Sequence, residues 1–161
     1  MQNLFSFVRF SLPFLLNHPL WTSERKRWTP LFRFAKLQIA FLVGISELSL
    51  PWFDSLWLPI RKGDTGLTGN YYAGLDEFRD MAFLLHLLSP CDTFIDVGAN
   101  LGSFSLLAAG ITNCTVIAFE PVPSTFERLQ FIIKHNNLAD KVEVRPVALS
   151  DTSLNNDCLL Y

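Results

Sequence analysis

One stretch of the chain, FIDVGANLGSF from Phe94 to Phe104, constrains the fold more than any other part of the 161 residues. It begins as an apolar run with β propensity, reaches an acid at Asp96, turns through Gly98 and Gly102, and continues as a helical pattern. In α/β domains, a strand, a glycine turn and a helix in this order form a nucleotide-sized crevice at the carboxyl end of the strand. The stretch therefore predicts an α/β domain with a ligand site at this turn.

The spacing of the glycines narrows the class of ligand. The usual dinucleotide-binding loop, G-x-G-x-x-G, would require glycine at positions 98, 100 and 103. Asn100 and Ser103 stand at the last two of these positions, which leaves the pattern acid-x-Gly-x-x-x-Gly. This difference argues against a dinucleotide. An NAD-binding oxidoreductase stays open as an alternative, because its site also combines a glycine turn with an acid about 20 residues later.

The apolar pattern from Leu75 onward predicts a parallel sheet. The predicted strands are 93–97, 115–120 and 142–147, and the predicted helices are 75–88, 103–109 and 124–135. The composition of the first strand predicts burial on both faces. Ser124 and Glu127 have the spacing of a capping box that would start the last helix. The resulting β-α-β-α-β order predicts parallel strands joined by right-handed crossovers.

The N-terminal part of the chain has a different character. Residues 1–45 predict two helical pieces, separated by His18-Pro19 and the charged run 24–27. Residues 46–72 predict short strands or a hairpin, since aromatic residues alternate there with proline and glycine. We therefore divide the chain into a helical, basic and aromatic extension over 1–72 and an α/β domain over 73–161.

The net charge of -2 conceals an asymmetry between the two parts. Residues 1–62 hold eight Lys/Arg against three Asp/Glu, whereas residues 63–161 hold five against twelve. A basic segment interleaved with aromatics indicates a solvated face, or contact with a membrane surface through an interfacial helix. Charged residues interrupt both of its apolar runs, so we predict no transmembrane helix.

The cysteines and histidines indicate no further chemistry. Cys91, Cys114 and Cys158 are scattered and form no CxxC pair, which predicts neither a metal site nor a disulfide framework. A reducing cytoplasm is the expected compartment. The three histidines are interpreted as structural or exposed rather than catalytic.

The predicted crevice contains two acids suited to a nucleoside ligand. Glu120 ends the second strand 22 residues after Gly98, where its carboxylate could accept charge-assisted hydrogen bonds from two ribose hydroxyls. Asp96, with the backbone of residues 98–102, could hold a cationic amino-acid group. Alternatively, Asp96 only braces the turn. Asn100 and Ser103 have equally simple explanations, as a turn residue and a helix cap.

Four segments of the chain resemble FkbM-type S-adenosylmethionine-dependent methyltransferases. They are YYAGLDEF (71–78), FIDVGANLG (94–102), FEP (119–121) and VALSD (147–151). The resemblance covers about residues 60–155. It implies a class I methyltransferase fold that binds S-adenosyl-L-methionine. It also implies methyl transfer to a hydroxyl of a sugar, glycan or natural product. We expect no metal site and no nucleic-acid partner.

The resemblance also implies roles for individual residues. The cofactor-binding residues would be Asp96, Gly98, Asn100, Gly102, Glu120, Ala148 and Leu149, with Glu77 and Ser103 as further candidates. In this assignment Glu120 holds the ribose, and the turn at Ala148-Leu149 passes beside the adenine. Glu77 corresponds to an acid before the first strand, with either a cofactor role or a helix-surface role. No catalytic base is implied.

The resemblance departs from the family in the number of strands. The class I fold has its first strand in the centre of a seven-stranded sheet, and this chain supplies three strands. We therefore expect an incomplete class I methyltransferase (Rossmann-like) sheet whose first strand forms an open edge. The half that contacts the methyl acceptor would be missing. An inactive chain with at most weak nucleoside binding is the alternative to a working enzyme.

Overall fold

A computed structural model describes residues 12–23, 28–53 and 55–150 of the chain. These residues form seven helices and five strands. In chain order they are α1 (Leu12–Asn17), α2 (Pro19–Ser23), α3 (Thr29–Leu42), β1 (Glu47–Pro51), β2 (Trp57–Arg61), α4 (Thr65–Ala73), α5 (Phe78–Leu87), β3 (Thr93–Val97), α6 (Ser103–Gly110), β4 (Thr115–Phe119), α7 (Pro123–His135) and β5 (Val142–Arg145). The helical character predicted for the N-terminal part is confirmed over its described residues, but three helices occur there instead of two, and the second begins at Pro19. The charged run 24–27, Asp151 and Cys158 lie outside the described residues.

The last three strands form a parallel sheet in the order β3-β4-β5. Asp96 pairs in register with Ala118, and Val97 pairs with Phe119, so the carboxyl ends of β3 and β4 lie side by side. The predicted parallel β-α-β-α-β arrangement is confirmed. Within the described residues β3 lies at the sheet edge, as the three-strand pattern predicts.

The prediction that β3 is buried on both faces is wrong. Ile95 and Val97, which point to one face, are 56% and 60% exposed. Phe94 and Asp96 point to the other face, where helices α5 and α6 cover them. Successive side chains of a strand alternate between its faces, and the described helices cover only one of them here. Apolar composition alone could not reveal that difference.

The predicted hairpin is confirmed, but it ends at Arg61 and does not extend over the whole predicted range 46–72. Strands β1 and β2 pair antiparallel, with Leu50 opposite Leu58. The following residues form helix α4 rather than a strand, although Gly66 and Gly69 lie within it. Gly69 lies so close to the Asp76 carboxylate that any side chain at position 69 would collide with it. This glycine therefore permits close packing and does not mark a turn.

Helix α7 begins differently from the predicted capping box. Its N-cap is Val122, no side chain caps it, and Pro123 stands in its first turn. Proline suits this position because its fixed φ matches the helix and it has no N–H to satisfy. Ser124 therefore lies inside the helix. Its last turn contains Lys134 and His135, where a cation interacts favourably with the helix dipole.

One hydrophobic core joins the N-terminal elements to the parallel sheet. It includes Leu37 of α3, Leu58 of β2, Leu106 of α6, Val116 of β4 and Leu129 of α7. Hairpin and sheet thus bury their apolar faces against the same neighbours. The division of the chain at residue 72 stays a prediction. Among the described helices, none has the length and hydropathy required to cross a bilayer.

Candidate functional site

The turn after β3 has a left-handed backbone at three of its residues. The φ angles are 75° at Gly98, 50° at Asn100 and 80° at Gly102. The backbone N–H groups of Gly98 and Ala99 both donate to the carbonyl of Phe119, each at 2.9 Å. The turn is therefore attached to the carboxyl end of the neighbouring strand β4.

The carboxylate of Glu120 makes a second attachment. Its Oε2 accepts the N–H of Asn100 at 2.9 Å, and its Oε1 accepts the N–H of Val122 at 3.0 Å. Glu120 is buried, with 6% of its surface exposed. A carboxylate has about four acceptor positions, so these two bonds leave one on each oxygen. The two features that sequence analysis singled out, the turn and the acid, are thus in direct contact.

Asp96 is buried behind the turn. The hydroxyl of Ser105 in α6 donates to its Oδ2 at 2.6 Å. Burial raises the pKa of the Asp96 carboxyl above its ordinary value, and hydrogen bonds from Ser105 only partly oppose that shift. This contact corresponds to the bracing role that sequence analysis kept as an alternative. Sequence analysis missed Ser105, although a serine in the middle of the apolar helix SFSLLAAG was a usable signal. In the structure its hydroxyl is fully buried.

Gly98 and Gly102 are required for different reasons. A Cβ at Gly98 would meet no atom within 4 Å, so only its left-handed backbone favours glycine. A Cβ at Gly102 would collide with the side chain of Leu129, which is fully buried in α7. Gly102 thus permits α7 to pack against the turn. Gly98 leaves the outer side of the turn open to an approaching ligand.

These environments predict unequal effects of alanine at the two glycines. Gly98→Ala should cost about 1 kcal/mol of unfolding free energy, the penalty of a left-handed backbone. Gly102→Ala should cost roughly 3 kcal/mol, because overpacking against Leu129 adds to the same penalty. Urea unfolding of both variants measures the difference. Equal losses would contradict the packing role of Gly102.

Helix α4 contacts the other side of the turn through Asn70. This buried side chain donates from Nδ2 to the hydroxyl of Ser103 and to the carbonyl of Gly66, both at 2.9 Å, and it accepts the N–H of Asp76 at 3.0 Å. Ser103 is therefore an acceptor for Asn70. It does not cap α6, whose N-cap is Gly102. Sequence analysis missed Asn70, which lies inside a helix where its polar side chain requires partners.

The remaining predicted site residues lie apart from these hydrogen bonds. Glu77 is the exposed N-cap residue of α5, and its carbonyl accepts the N–H of Met81. Ala148 and Leu149 follow β5 and are exposed, Leu149 by 52%. Among the described residues, no hydrogen bond joins the side chains of these three to the turn. Their assignment to a cofactor site stays a prediction.

An apolar cavity of about 210 Å³ lies between α5, β3 and the start of α6. It is lined by Asp80, Phe83, Leu84, Leu87, Leu88, Phe94 and Phe104. Phe104 lies directly after Ser103, so the cavity adjoins the turn. Among the residues that the structure describes, no group of His, Cys, Asp or Glu could hold a metal ion.

Comparison with known sequences gives a limited relationship. No protein-family model matches the chain. The AMB antimetabolite synthetase AmbE of Pseudomonas aeruginosa is 29% identical over 132 residues, which cover 76% of this chain. The match covers only 6% of that protein, so the chain corresponds to a small part of the relative.

Solved structures are similar in fold. A proposed transferase, PH0793 of Pyrococcus horikoshii, has a TM-score of 0.50 and is 16% identical. The alignment covers 78% of this chain and 50% of that chain. An RNA methyltransferase of Salinibacter ruber, in complex with S-adenosyl-L-homocysteine, has a TM-score of 0.41 at 22% identity over 44% of this chain and 47% of that chain. Geranyl diphosphate methyltransferase, in complex with GPP and sinefungin, has a TM-score of 0.44 and is 22% identical. The alignment covers 51% of this chain and 31% of that chain. The chain thus spans half or less of each of these structures.

These likenesses concern the fold alone. The predicted α/β architecture, with three parallel strands and helices in a Rossmann-like arrangement, is confirmed. The FkbM family itself has no support among these matches.

Proposed function

We propose that this chain binds S-adenosylmethionine at the turn over residues 96–102 and at Glu120, as the cofactor-binding part of a methyltransferase. The observation that carries the proposal is the direct bond from the Asn100 N–H to the Glu120 carboxylate. It joins a left-handed glycine turn to an acid at the carboxyl ends of two adjacent parallel strands. Ligands of open α/β sheets bind in the crevice at this position.

The residues present fit the cofactor in two respects. Glu120 keeps one acceptor position on each oxygen, which is what two neighbouring ribose hydroxyls require. Gly98 is exposed and has open space above it, so the backbone of the turn is accessible. When bound, the cofactor supplies an electrophilic methyl group. The contribution of this chain would be to bind and orient the cofactor, which accounts for much of the rate of such transfers.

The acceptor that we propose is a hydroxyl group of a small molecule or glycan, as the resemblance to FkbM-type enzymes implies. The match to an antimetabolite synthetase supports a natural product rather than RNA as the substrate class. RNA is the alternative, since one of the similar structures is an RNA methyltransferase. The net charge of -7 over residues 63–161 argues against RNA, because phosphates require basic surfaces.

Isothermal titration of the purified chain with S-adenosylhomocysteine tests the cofactor. We expect saturable heat with S-adenosylhomocysteine and a much weaker response to NADH. Tighter binding of NADH would favour the oxidoreductase alternative. No heat with either compound, from folded and monodisperse protein, would remove the binding proposal. Methyl transfer to a hydroxyl acceptor by this chain would exclude the inactive alternative.

The raised pKa of Asp96 predicts that Asp96→Asn separates affinity from stability. The folded state of the wild type disfavours the ionised carboxyl, so the stability present below its ordinary pKa of 3.8 is lost as the pH rises through the folded value. Asparagine retains an oxygen that accepts the hydrogen bond from the Ser105 hydroxyl, and it has no charge for burial to disfavour. We expect the variant to gain stability relative to the wild type as the pH rises toward neutral. Its affinity for S-adenosylhomocysteine should fall about tenfold, because the carboxylate charge is lost.

Urea unfolding across this pH range and isothermal titration measure the two effects. Ser105→Ala is the complementary control, since it removes the hydrogen bond from the Ser105 hydroxyl and leaves the Asp96 carboxylate in place. A variant Asp96→Asn with unchanged affinity would assign Asp96 to bracing alone. A variant less stable than the wild type at neutral pH would contradict the sign of the shift.

A further inference from the structure

Helix α3 exposes an apolar stripe on the side that faces away from the core. The stripe consists of Trp28, Phe32, Ile39, Leu42 and Val43, which are 67%, 74%, 59%, 82% and 70% exposed. Residues three and four positions apart lie on the same face of a helix, so these side chains are neighbours. A large contiguous apolar surface of this kind indicates an interaction site.

The opposite face of the same helix is already occupied. Pro30, Leu37 and Ala40 are buried there, Leu37 completely. Helix α3 is therefore apolar on both sides, whereas the described part of the chain covers only one. A helix that is apolar all round is normally buried on all sides. The outer stripe thus lacks a partner among the described residues.

The charged side chains within helices α1 to α3 are all basic. Helices α1 to α3 contain no Asp or Glu, and Lys36 is exposed on the stripe itself. In the sequence, the run Glu24-Arg25-Lys26-Arg27 directly precedes Trp28 and has a net charge of +2. An apolar stripe that includes an exposed lysine and has an indole at one end has the composition of helices that lie in the interface of anionic membranes.

We propose that the outer stripe of α3 docks this protein on an anionic lipid surface. The side chains of Phe32, Ile39 and Leu42 would enter the boundary between headgroups and acyl chains. Trp28 would lie at headgroup level, and Lys36 would extend its ammonium group to the lipid phosphates. The docking is peripheral, and it does not depend on the proposed cofactor.

Two other occupants fit the stripe less well. In a symmetric pair of chains the stripe would face its own copy, so the Lys36 ammonium groups of the two copies would be brought together and repel each other. A nucleic acid would require several phosphate contacts, whereas the stripe itself offers Lys36 among apolar side chains. An anionic bilayer satisfies both the apolar surface and the charge.

Sedimentation of the full chain with vesicles tests the proposal. We expect binding to vesicles that contain phosphatidylglycerol, weaker binding to pure phosphatidylcholine, and loss of binding as salt is raised. The double variant Phe32→Ser/Ile39→Ser should reduce the affinity about a hundredfold, since two apolar side chains leave the lipid. Phe83→Ser in α5, where the side chain is 65% exposed, is the matched control and should bind as the wild type does.

Tryptophan fluorescence gives an independent measurement. Emission should shift to the blue with phosphatidylglycerol vesicles, and Trp28→Phe should abolish the shift. Trp57→Phe should retain it, because Trp57 lies on β2 and not on the stripe. Recovery of the wild type wholly in the supernatant, or equal binding to neutral vesicles, would overturn the proposal. So would a wild-type dimer that the double variant converts to a monomer without any effect on lipid binding.

Discussion

Replacing Glu120 with glutamine is expected to reduce the affinity for S-adenosylhomocysteine by about two orders of magnitude. Hydrogen bonds to a charged group contribute about 1.5–3 kcal/mol each, and the carboxylate would accept two from the ribose. The amide has a single acceptor oxygen. Its NH₂ group would therefore face the N–H of either Asn100 or Val122, which now bind the two carboxylate oxygens.

The same substitution also perturbs the turn, so affinity and stability have to be measured together. Isothermal titration gives the affinity, and thermal unfolding gives the stability. Glu127→Gln is the control, since this exposed residue of α7 has the same charge and lies outside the site. Glu120→Asp should recover part of the affinity because it restores the charge. An unchanged affinity in folded Glu120→Gln would show that Glu120 only supports the turn.

Replacing Arg128 with methionine is expected to cost about 3 kcal/mol of unfolding free energy. This buried guanidinium joins α7 to the hairpin, with Nη2 at 2.9 Å from Asp64 and Nη1 at 3.3 Å from Glu47. Nη2 also donates to the carbonyl of Pro59. Removing the guanidinium leaves the carboxylates of Asp64 and Glu47 and the carbonyl of Pro59 without this partner. Methionine fills much of the volume of the arginine side chain.

Guanidinium chloride unfolding at constant ionic strength measures the loss. Arg145→Met is the matched control, because the Arg145–Glu143 pair is exposed and such pairs contribute little. A loss below 1 kcal/mol for Arg128→Met would contradict the structural role of the buried pair.

The pH dependence of the same contact has a defined sign. Burial alone would raise the pKa of Glu47, but hydrogen bonds and attraction from Arg61 and Arg128 outweigh it and lower the pKa. The stability from Glu47 is therefore present above its unfolded pKa and is lost as the pH falls through the folded value. The Arg128→Met variant should show a smaller part of this acid-induced loss than the wild type.

Sequence patterns predicted the parallel sheet because the formation of strands and turns depends mainly on residues that are neighbours in the sequence. The short apolar runs at 93–97 and 115–120 indicate strands, and the glycine turn between them indicates the crevice. The errors occurred where packing against other elements decided the outcome. Gly69 lies inside helix α4, where the absence of a side chain leaves room for the Asp76 carboxylate, and β3 is exposed on one face because no described helix covers it.

By itself, the sequence determined the order of strands and helices from residue 75 onward, the position of the glycine turn and the identity of the acid that follows β4. Only the tertiary structure decided what these residues contact. Glu120 binds the Asn100 N–H, Asn70 reaches Ser103 across 33 positions, and the stripe on α3 stays uncovered. The reason is that local pattern reflects backbone preference and burial, whereas hydrogen-bond partners and open surfaces depend on which distant elements pack together.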